Sequence, residues 1–246
     1  MTLTDHSPLS AKFAQYRQRL SGSDRPVVEG QLKRVVGTML EAVGCKAPVG
    51  AYCLVEAADG EWLETEVVGF ATDKILLMPT GELRGVMPNA RVIPIAKGSD
   101  FPVGDGLLGR VLDGAAKPLD GRGPLQCSET RSISGVPINP LLRQPIREPL
   151  DVGVRSINSL LTVGRGQRLG LFAGSGVGKS VLLGMMTRFT EADVVVVALI
   201  GERGREVKEF IDSILGTEDM KRAVVIATPA DHPPLMRMRG AWRATS

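Results

Sequence analysis

The stretch AGSGVGKS, at residues 173–180, constrains the fold of this 246-residue chain more than any other feature. It matches the phosphate-binding loop pattern G-x-x-x-x-G-K-[ST] except at the first position, where Ala173 replaces glycine. Such a loop joins a strand to a helix, so that backbone N–H groups and the helix dipole converge on a phosphate. The chain is therefore predicted to contain an α/β core built around a phosphate site.

The residues on either side of the loop fit this prediction. GQRLGLFA, at residues 166–173, predicts a short apolar strand, and KSVLLGMMTRF predicts the helix that follows. Alanine is compatible with the first loop position unless the native φ there is positive. The predicted phosphate-binding residues are Gly174, Ser175, Gly176, Val177, Gly178, Lys179, Ser180 and Val181. The predicted inner face of the helix consists of Val181, Leu182, Met185 and Met186.

Two loop residues have distinct predicted roles. Lys179 is placed to reach the β- and γ-phosphates of a nucleotide, and the Ser180 hydroxyl is placed to ligate Mg²⁺. The alternative is a glycine-rich turn between a strand and a helix, with no ligand.

A second apolar run, ADVVVVALI at residues 192–200, predicts a strand buried on both faces because it shows no alternation. Ligands of open α/β sheets lie outside the carboxyl ends of the strands, so the following GERGRE is expected beside the loop. There Glu202 could orient or deprotonate an attacking water, Arg203 could contact phosphate, and Glu206 could hold a metal-bound water. The alternative is a charged helix start, in which the helix dipole favours Glu202 and Glu206.

Residues 27–95 predict short strands separated by turns, with a hairpin turn around Gly60. This spacing favours a small closed barrel, because a barrel leaves no long unpaired edge. Binding of oligonucleotides needs exposed aromatic side chains, and this region offers only Tyr52, Trp62 and Phe70. A structural or oligomer-contact barrel is therefore expected. Residues 97–150 are rich in glycine and proline and predict a connector. Within it, residues 109–125 predict a strand and two turns, whereas the four prolines of residues 134–150 predict extended chain and not a helix.

Composition argues against several classes of protein. The net charge of +3 is too small, and the basic residues too dispersed, to indicate nucleic acid or an anionic membrane. Cys45, Cys53 and Cys127 lack C-x-x-C spacing, which argues against disulfides and zinc and favours a reducing cytosol. No signal peptide or membrane span is predicted.

Four apolar residues near the N-terminus predict one stripe of a short helix. Such a helix docks either on the core of its own chain or on a partner. The stripe consists of Leu9, Phe13, Tyr16 and Leu20.

Taken together, these motifs resemble one protein family. LLTVGRGQRLGLFAGSGVGKSVLLGMM and VVVVALIGERGREVKEFI are similar to rotary-type ATPases of the F1 and type III secretion group, particularly the flagellum-specific protein-export ATPases. The resemblance runs from Val27 to at least Arg237 and includes LLGRVLDGAAKPLDG and PLDVGVRSINSLLTVGRGQR. The F1 β-subunit differs in carrying threonine after the loop lysine and GERTREG after the strand.

The resemblance implies a six-stranded N-terminal barrel, a RecA-like core and a ring of six subunits that binds ATP and Mg²⁺. Lys179 and Ser180 match the family's loop pair, Glu202 matches the carboxylate that polarises water, and Glu206 matches a position that holds the metal through water. The N-terminal helix matches the segment that binds the regulatory stator protein. Other implied partners are export substrates, their chaperones and the membrane export gate, with the protein in the cytoplasm at the inner membrane.

The resemblance also sets the expected domains: residues 1–24 as helix and linker, 25–97 as barrel, and 98–246 as RecA-like core. Family members hold Mg²⁺ with an aspartate at the end of a later strand, and they also need an arginine finger. The sole candidate for that aspartate, Asp231, is separated from the apolar run before it, and the sequence departs from the family near Gly240. We therefore expect a core truncated before the metal-holding strand.

Two main functions remain open at this point. One is an ATP-hydrolysing motor for protein export, in the flagellar or the virulence-type (injectisome) apparatus. The other is a non-catalytic, nucleotide-binding fragment. A hexameric RNA translocase shares the arrangement of barrel and core, but the weak basic charge and few aromatic residues argue against nucleic acid as a partner.

Overall fold

The computed structural model describes residues 13, 16, 27–95, 100–133, 135, 138–174 and 176–246. The chain divides into two compact units. One comprises Met1–Leu77 with Arg84–Ala96, and the other comprises Met78–Leu83 with Lys97–Ser246. No helix among these described residues is long and apolar enough to span a membrane.

The first unit contains a closed barrel of six strands, which confirms the predicted barrel. Its order is β1-β2-β5-β4-β3-β6, and β1 closes the ring by pairing antiparallel with β6. Inward-facing apolar side chains fill the interior, among them Leu32, Leu40, Val55, Val67, Leu77 and Val92. The strands are β1 (Gly30–Val36), β2 (Met39–Val43), β3 (Tyr52–Glu56), β4 (Trp62–Ala71), β5 (Lys74–Pro79) and β6 (Arg91–Ile95).

The hairpin turn predicted around Gly60 is present between β3 and β4. Gly60 has a φ of 80°, and the Glu61 N–H donates to the Asp59 carboxylate at 3.2 Å.

After the turn, Trp62 begins β4 with 40% of its surface exposed, and the Arg91 guanidinium lies 5.8 Å from the centre of its ring.

The second unit is an α/β core around a parallel sheet of order β10-β11-β8. All six residues of β11 are buried, and the core around it includes Val197, Leu199, Phe210 and Leu215. The strands are β7 (Asp100–Val103), β8 (Val111–Leu112), β9 (Glu129–Ser132), β10 (Val195–Ile200) and β11 (Ala223–Thr228). The helices are α1 (Arg155–Leu160), α2 (Lys179–Phe189), α3 (Gly204–Glu209), a π-helical turn (Phe210–Leu215), α4 (Gly216–Met220) and α5 (Pro234–Thr245).

Helix α5 packs closely against the sheet through a glycine. A Cβ atom on Gly240 would lie 3.0 Å from the Ile200 side chain and 3.0 Å from the Thr228 hydroxyl. A larger residue at this position would therefore force the side chains of Ile200 and Thr228 to shift. Two residues further along α5, Trp242 is 44% exposed.

A buried ion pair fixes the turn after β8. The Arg110 guanidinium donates to both carboxylate oxygens of Asp120, at 2.7 and 3.0 Å, and the two side chains are 8% and 9% exposed. The N–H groups of Val111 and Arg122 donate to the same carboxylate. The Arg110 guanidinium and these N–H groups hold the pKa of Asp120 well below its ordinary value, against the opposing effect of burial.

One strand predicted for this unit is absent, and a second is present but less buried than predicted. Residues 166–173 form no strand, and Phe172 is 95% exposed. A strand requires a neighbour for its backbone hydrogen bonds, and among the described residues no strand pairs with residues 166–173. The second apolar run is not buried on both faces, since β10 begins at Val195, lies at the edge of its sheet and leaves Val196 50% exposed.

The predicted inner face of α2 and the extended connector also need correction. Leu182 and Met186 pack on a cluster containing Val152, but Val181 and Met185 are 56% and 40% exposed. The buried residues of α2 are instead Gly184 and Thr187, because the helix approaches the π-helical turn closely at Gly184. The connector includes a short 3₁₀ turn at Pro140–Leu142, where proline occupies a first-turn position that needs no N–H donor.

We expect Asp120→Asn to lower the melting temperature at pH 7 by several degrees, because it leaves the buried Arg110 without its charged partner. The folded pKa of Asp120 lies below its ordinary value of 3.8, so the pair stabilises the chain above that pH. This stabilisation is lost as the pH falls below 3.8 towards the folded pKa. Urea unfolding of wild type and variant between pH 7 and pH 3 tests both expectations.

Asp193→Asn is the matched control, because it makes the same change at an exposed carboxylate of the same unit. An Asp120→Asn variant that unfolds like this control at every pH would show that the buried pair does not stabilise the fold.

Candidate nucleotide-binding site

The predicted phosphate loop leads directly into α2. Gly178 is the N-cap residue of this helix and has a left-handed backbone, with a φ of 94° and a ψ of 14°. Gly176 also has a positive φ, of 78°. Residues with a Cβ atom rarely adopt these conformations, whereas Ala173 is not among the residues with positive φ. The loop therefore needs glycine at its turns and accepts alanine at its first position.

The amino end of α2 has the features of an anion site. Its first helical hydrogen bond runs from the Leu182 N–H to the Gly178 carbonyl at 2.9 Å, and the N-cap residue Gly178 provides no side-chain cap. The N–H groups of Lys179, Ser180 and Val181 therefore lack partners within the helix, and the positive end of the helix dipole lies here. Lys179 and Ser180 are exposed, so a phosphate can reach this end.

The second group of predicted residues follows β10 at the carboxyl edge of the sheet. The Glu202 carbonyl accepts a hydrogen bond from the Ala230 N–H at 3.0 Å, and the Gly201 N–H donates to the Thr228 carbonyl at 2.8 Å. These bonds join the segments that leave β10 and β11. They place Glu202 and Asp231 on the same edge of the sheet, the edge at which α/β proteins bind ligands.

Arg203 and Glu206 contact each other at the start of α3. The guanidinium of Arg203 lies 3.8 Å from the Glu206 carboxylate, and the side chains are 71% and 41% exposed. Glu206 lies in the first turn of α3, where the helix dipole favours a carboxylate. Within the described residues no ion pair joins Lys179 to Glu202 or Glu206, so their cooperation in one site stays a prediction.

The far end of α2 makes contacts that the sequence does not reveal. The Thr190 hydroxyl and the Glu191 N–H both donate to the Asp151 carbonyl, at 3.0 and 3.1 Å. Gly153 approaches the last residue of the helix so closely that a Cβ atom there would lie 2.2 Å from the backbone of Phe189. No motif marks these contacts, because each joins residues that are far apart in the chain.

Comparison with known proteins identifies the class. Residues 153–246 match the nucleotide-binding domain of the ATP synthase alpha/beta family. The matched segment includes the loop and α2, so this part of the chain is similar to the nucleotide-binding domain of that family.

The chain as a whole is a homologue of the flagellum-specific ATP synthases, which confirms the resemblance predicted from its motifs. Over 98% of its length it is 56% identical to the flagellum-specific ATP synthase of Pseudomonas aeruginosa, of which it covers 54%. Over 88% of its length it is 44% identical to the type 3 secretion system ATPase of Xanthomonas euvesicatoria, of which it covers 49%. The chain thus spans about half the length of the relatives that it matches.

A solved structure supports the fold. The assembled ATPase EscN from the type III secretion system of enteropathogenic E. coli aligns over 88% of this chain and 52% of its own, with a TM-score of 0.80 and 39% identity. EscN in complex with its central stalk EscO aligns with a TM-score of 0.78. The predicted fold class, a small barrel followed by a nucleotide-binding α/β core, is confirmed.

We expect Gly178→Ala to weaken ATP binding about tenfold, because a Cβ atom costs on the order of 1–2 kcal/mol in a left-handed conformation. The strain would turn the N–H groups at the start of α2 away from the phosphates. Isothermal titration calorimetry with ATP and Mg²⁺ measures the change. The matched control is Ala173→Gly, which should leave affinity within about twofold, since no positive φ is present there. Equal losses in both variants would contradict the assigned loop geometry.

Proposed function

We propose that this chain binds ATP with Mg²⁺ at the amino end of α2 and is a subunit of a hexameric ATPase that energises protein export through the flagellar type III secretion apparatus. The observation that carries the proposal is the left-handed turn at Gly178, which opens α2 with an uncapped, exposed amino end. The similarity to flagellum-specific ATP synthases supports the export role.

Binding would use the loop and the first turn of α2. The backbone N–H groups there would surround the β-phosphate, and Lys179 would contact the terminal phosphates with a charge-assisted hydrogen bond. The Ser180 hydroxyl would ligate Mg²⁺ directly, and Glu206 would hold it through water. These donors suit Mg²⁺, which commonly takes few protein ligands beside phosphate oxygens and water. The proposed nucleotide contacts are Gly174, Ser175, Gly176, Val177, Gly178, Lys179, Ser180 and Val181.

Hydrolysis would use the residues that follow β10. Bound Mg²⁺ supplies charge that stabilises the phosphates during transfer. Glu202 would orient the attacking water. Arg203 would break its exposed ion pair with Glu206 and contact phosphate instead. Lys179, Glu202 and Arg203 are the proposed catalytic residues.

The proposal extends to the organisation of the protein and its partners. We assign residues 1–24 to a partner-binding segment, 25–97 to the barrel and 98–246 to the nucleotide-binding core. By likeness to assembled EscN and its central stalk, the subunits would form a homohexamer that contacts a regulatory protein. Export substrates, their chaperones and the membrane export gate complete the proposed partners, and the cytoplasmic face of the inner membrane is the proposed location.

Two alternatives have specific support. Binding without turnover is favoured by the position of Asp231, which lies in a turn beyond β11 and not at the end of the strand. Use in an injectisome is favoured by the similarity to type 3 secretion system ATPases and to EscN.

We expect Lys179→Ala to weaken ATP binding at least tenfold, because hydrogen bonds to charged groups are worth about 1.5–3 kcal/mol. Calorimetry with ATP and Mg²⁺ measures binding, and phosphate release by wild type and Glu202→Ala measures turnover. Lys208→Ala is the control, since that lysine is exposed and pairs with Asp212 within one helix turn. Equal affinity of wild type and Lys179→Ala would overturn the binding site. Tight binding without phosphate release would establish the non-catalytic alternative.

The N-terminal stripe can be tested separately. Phe13 and Tyr16 have helical backbone and are 69% and 57% exposed, whereas Leu9 and Leu20 lie outside the described residues. We expect Phe13→Ala with Tyr16→Ala to leave the melting temperature unchanged and to abolish capture of the stator protein in a pull-down. A fall of several degrees in melting temperature would show that the stripe packs on its own chain.

A further inference from the structure

We propose that Arg222 is a positioning residue for the phosphate site, because it fixes the carboxyl end of α2 to the sheet and so sets the position of Lys179 and Ser180 at the other end. The inference rests on the proposed nucleotide binding at the amino end of this helix. Arg222 lies in the turn between α4 and β11, far along the chain from the loop.

The Arg222 guanidinium donates hydrogen bonds to four backbone carbonyls where α2 ends. Nη2 donates to the carbonyls of Arg188 and Thr187, at 2.6 and 3.4 Å. Nη1 donates to the carbonyls of Ala192 and Thr190, at 2.5 and 3.1 Å. One side chain therefore joins the last turn of the helix to the segment that leads into β10.

Only arginine has the shape for this arrangement. The last four carbonyls of an α-helix lack partners within the helix, and the planar guanidinium presents several donors in a fixed fork. Lysine would keep the charge but offers one rotating ammonium group, which cannot hold two sets of carbonyls in a fixed geometry. The positive charge also stabilises the negative end of the helix dipole.

The backbone of Arg222 is itself fixed by the sheet. Its carbonyl accepts a hydrogen bond from the Val195 N–H at 3.0 Å, at the first residue of β10, and Ala223 begins β11 immediately afterwards. The guanidinium thus ties α2 to the amino end of the same strand pair whose carboxyl end carries Glu202. The same strand pair therefore supports both groups of proposed site residues. Its amino end holds α2, which carries Lys179 and Ser180, and its carboxyl end leads to Glu202.

The position of the amino end of α2 depends on the rest of the helix. The buried residues of this 11-residue helix, Gly184 and Thr187, both lie past its first turn. Lys179, Ser180 and Val181 are exposed, and within the first turn only Leu182, which packs on the Val152 cluster, contacts the core. A helix is stiff over this length, roughly 16 Å at 1.5 Å per residue, so a shift at the clamped end moves the loop end as well.

The Asp151 contacts hold the same helix end, but from a different segment. Asp151 accepts from Thr190 and Glu191 in the loop that precedes α1, and these bonds involve residues beyond the last helical turn. Arg222 is bound within the last turn itself, through the carbonyls of Thr187 and Arg188. Loss of Arg222 should therefore loosen the last turn of the helix, while the Asp151 contacts, the Arg188–Asp219 ion pair and the packing at Gly184 keep the chain folded.

The test compares Arg222→Gln and Arg222→Lys with Lys221→Gln. Lys221 is the adjacent cation, and its exposed side chain pairs with Glu218 at 2.7 Å, so the control removes the same charge without touching α2. Calorimetry with ATP and Mg²⁺ is done well below the melting temperature of each protein. Hydrogen exchange of residues 179–189 reports the order of the helix at both ends.

We expect Arg222→Gln to raise the dissociation constant about tenfold and Arg222→Lys to raise it by less, while Lys221→Gln stays within about twofold of wild type. Exchange in Arg222→Gln should increase in the first turn of α2 as well as the last. A residue that only stabilised the fold would lower the melting temperature and the binding stoichiometry, but would leave the dissociation constant of the folded protein unchanged.

The outcomes separate this inference from the proposed function. Wild type that fails to bind ATP overturns the proposed function and this inference with it. Wild type that binds, with a folded Arg222→Gln of equal affinity, overturns this inference alone. Should Arg222→Gln not fold, Arg222→Lys decides: wild-type affinity together with lost protection at the end of α2 overturns the inference, and weakened affinity supports it.

Discussion

The parallel pairing of β10 with β11 is the constraint on which the second unit depends. Six residue pairs, from Val195 with Ala223 to Ile200 with Thr228, align the two strands without a register shift. Every residue of β11 is buried, so a slip by one residue would break both the ladder and the core packing. The carboxyl ends of the strands place Glu202 beside the turn that contains Asp231, and the amino ends place Arg222 against α2. The pairing of β10 with β11 therefore fixes the segments that carry both parts of the candidate site.

The orientation of the phosphate loop depends on this strand pair indirectly, through α2. Its own conformation is local, because Gly176 and Gly178 adopt positive φ and the helix begins at once. Its orientation is not local, because α2 is held by Arg222, by Asp151 and by the close approach of Gly184 to the π-helical turn. This separation explains how a loop can stay open to a ligand while the helix behind it stays fixed. The cation at one end of α2 and a phosphate at the other would both match the helix dipole.

Features encoded by neighbouring residues could be predicted from the sequence, and features that depend on distant partners could not. The loop, the start of α2, the Gly60 hairpin and the barrel follow from glycine spacing and from the alternation of short strands. The apolar residues 166–173 resemble a strand, yet a strand exists only where another strand supplies backbone partners, and none does so there. Arg222 carries no signal at all, since an arginine before an apolar strand has many possible contacts. The four backbone carbonyls to which its guanidinium donates lie about thirty residues earlier in the chain.

The placement of the two tryptophans has a practical optical consequence. The chain contains only two, and each compact unit holds one: Trp62 at the start of β4 and Trp242 on α5. Both indoles are partly exposed, and the Arg91 guanidinium stacks near Trp62, so their surroundings differ. Replacing either one with phenylalanine would leave a single emitter. The fluorescence of such a chain would follow the unfolding of the barrel or of the nucleotide-binding unit alone, with no added dye.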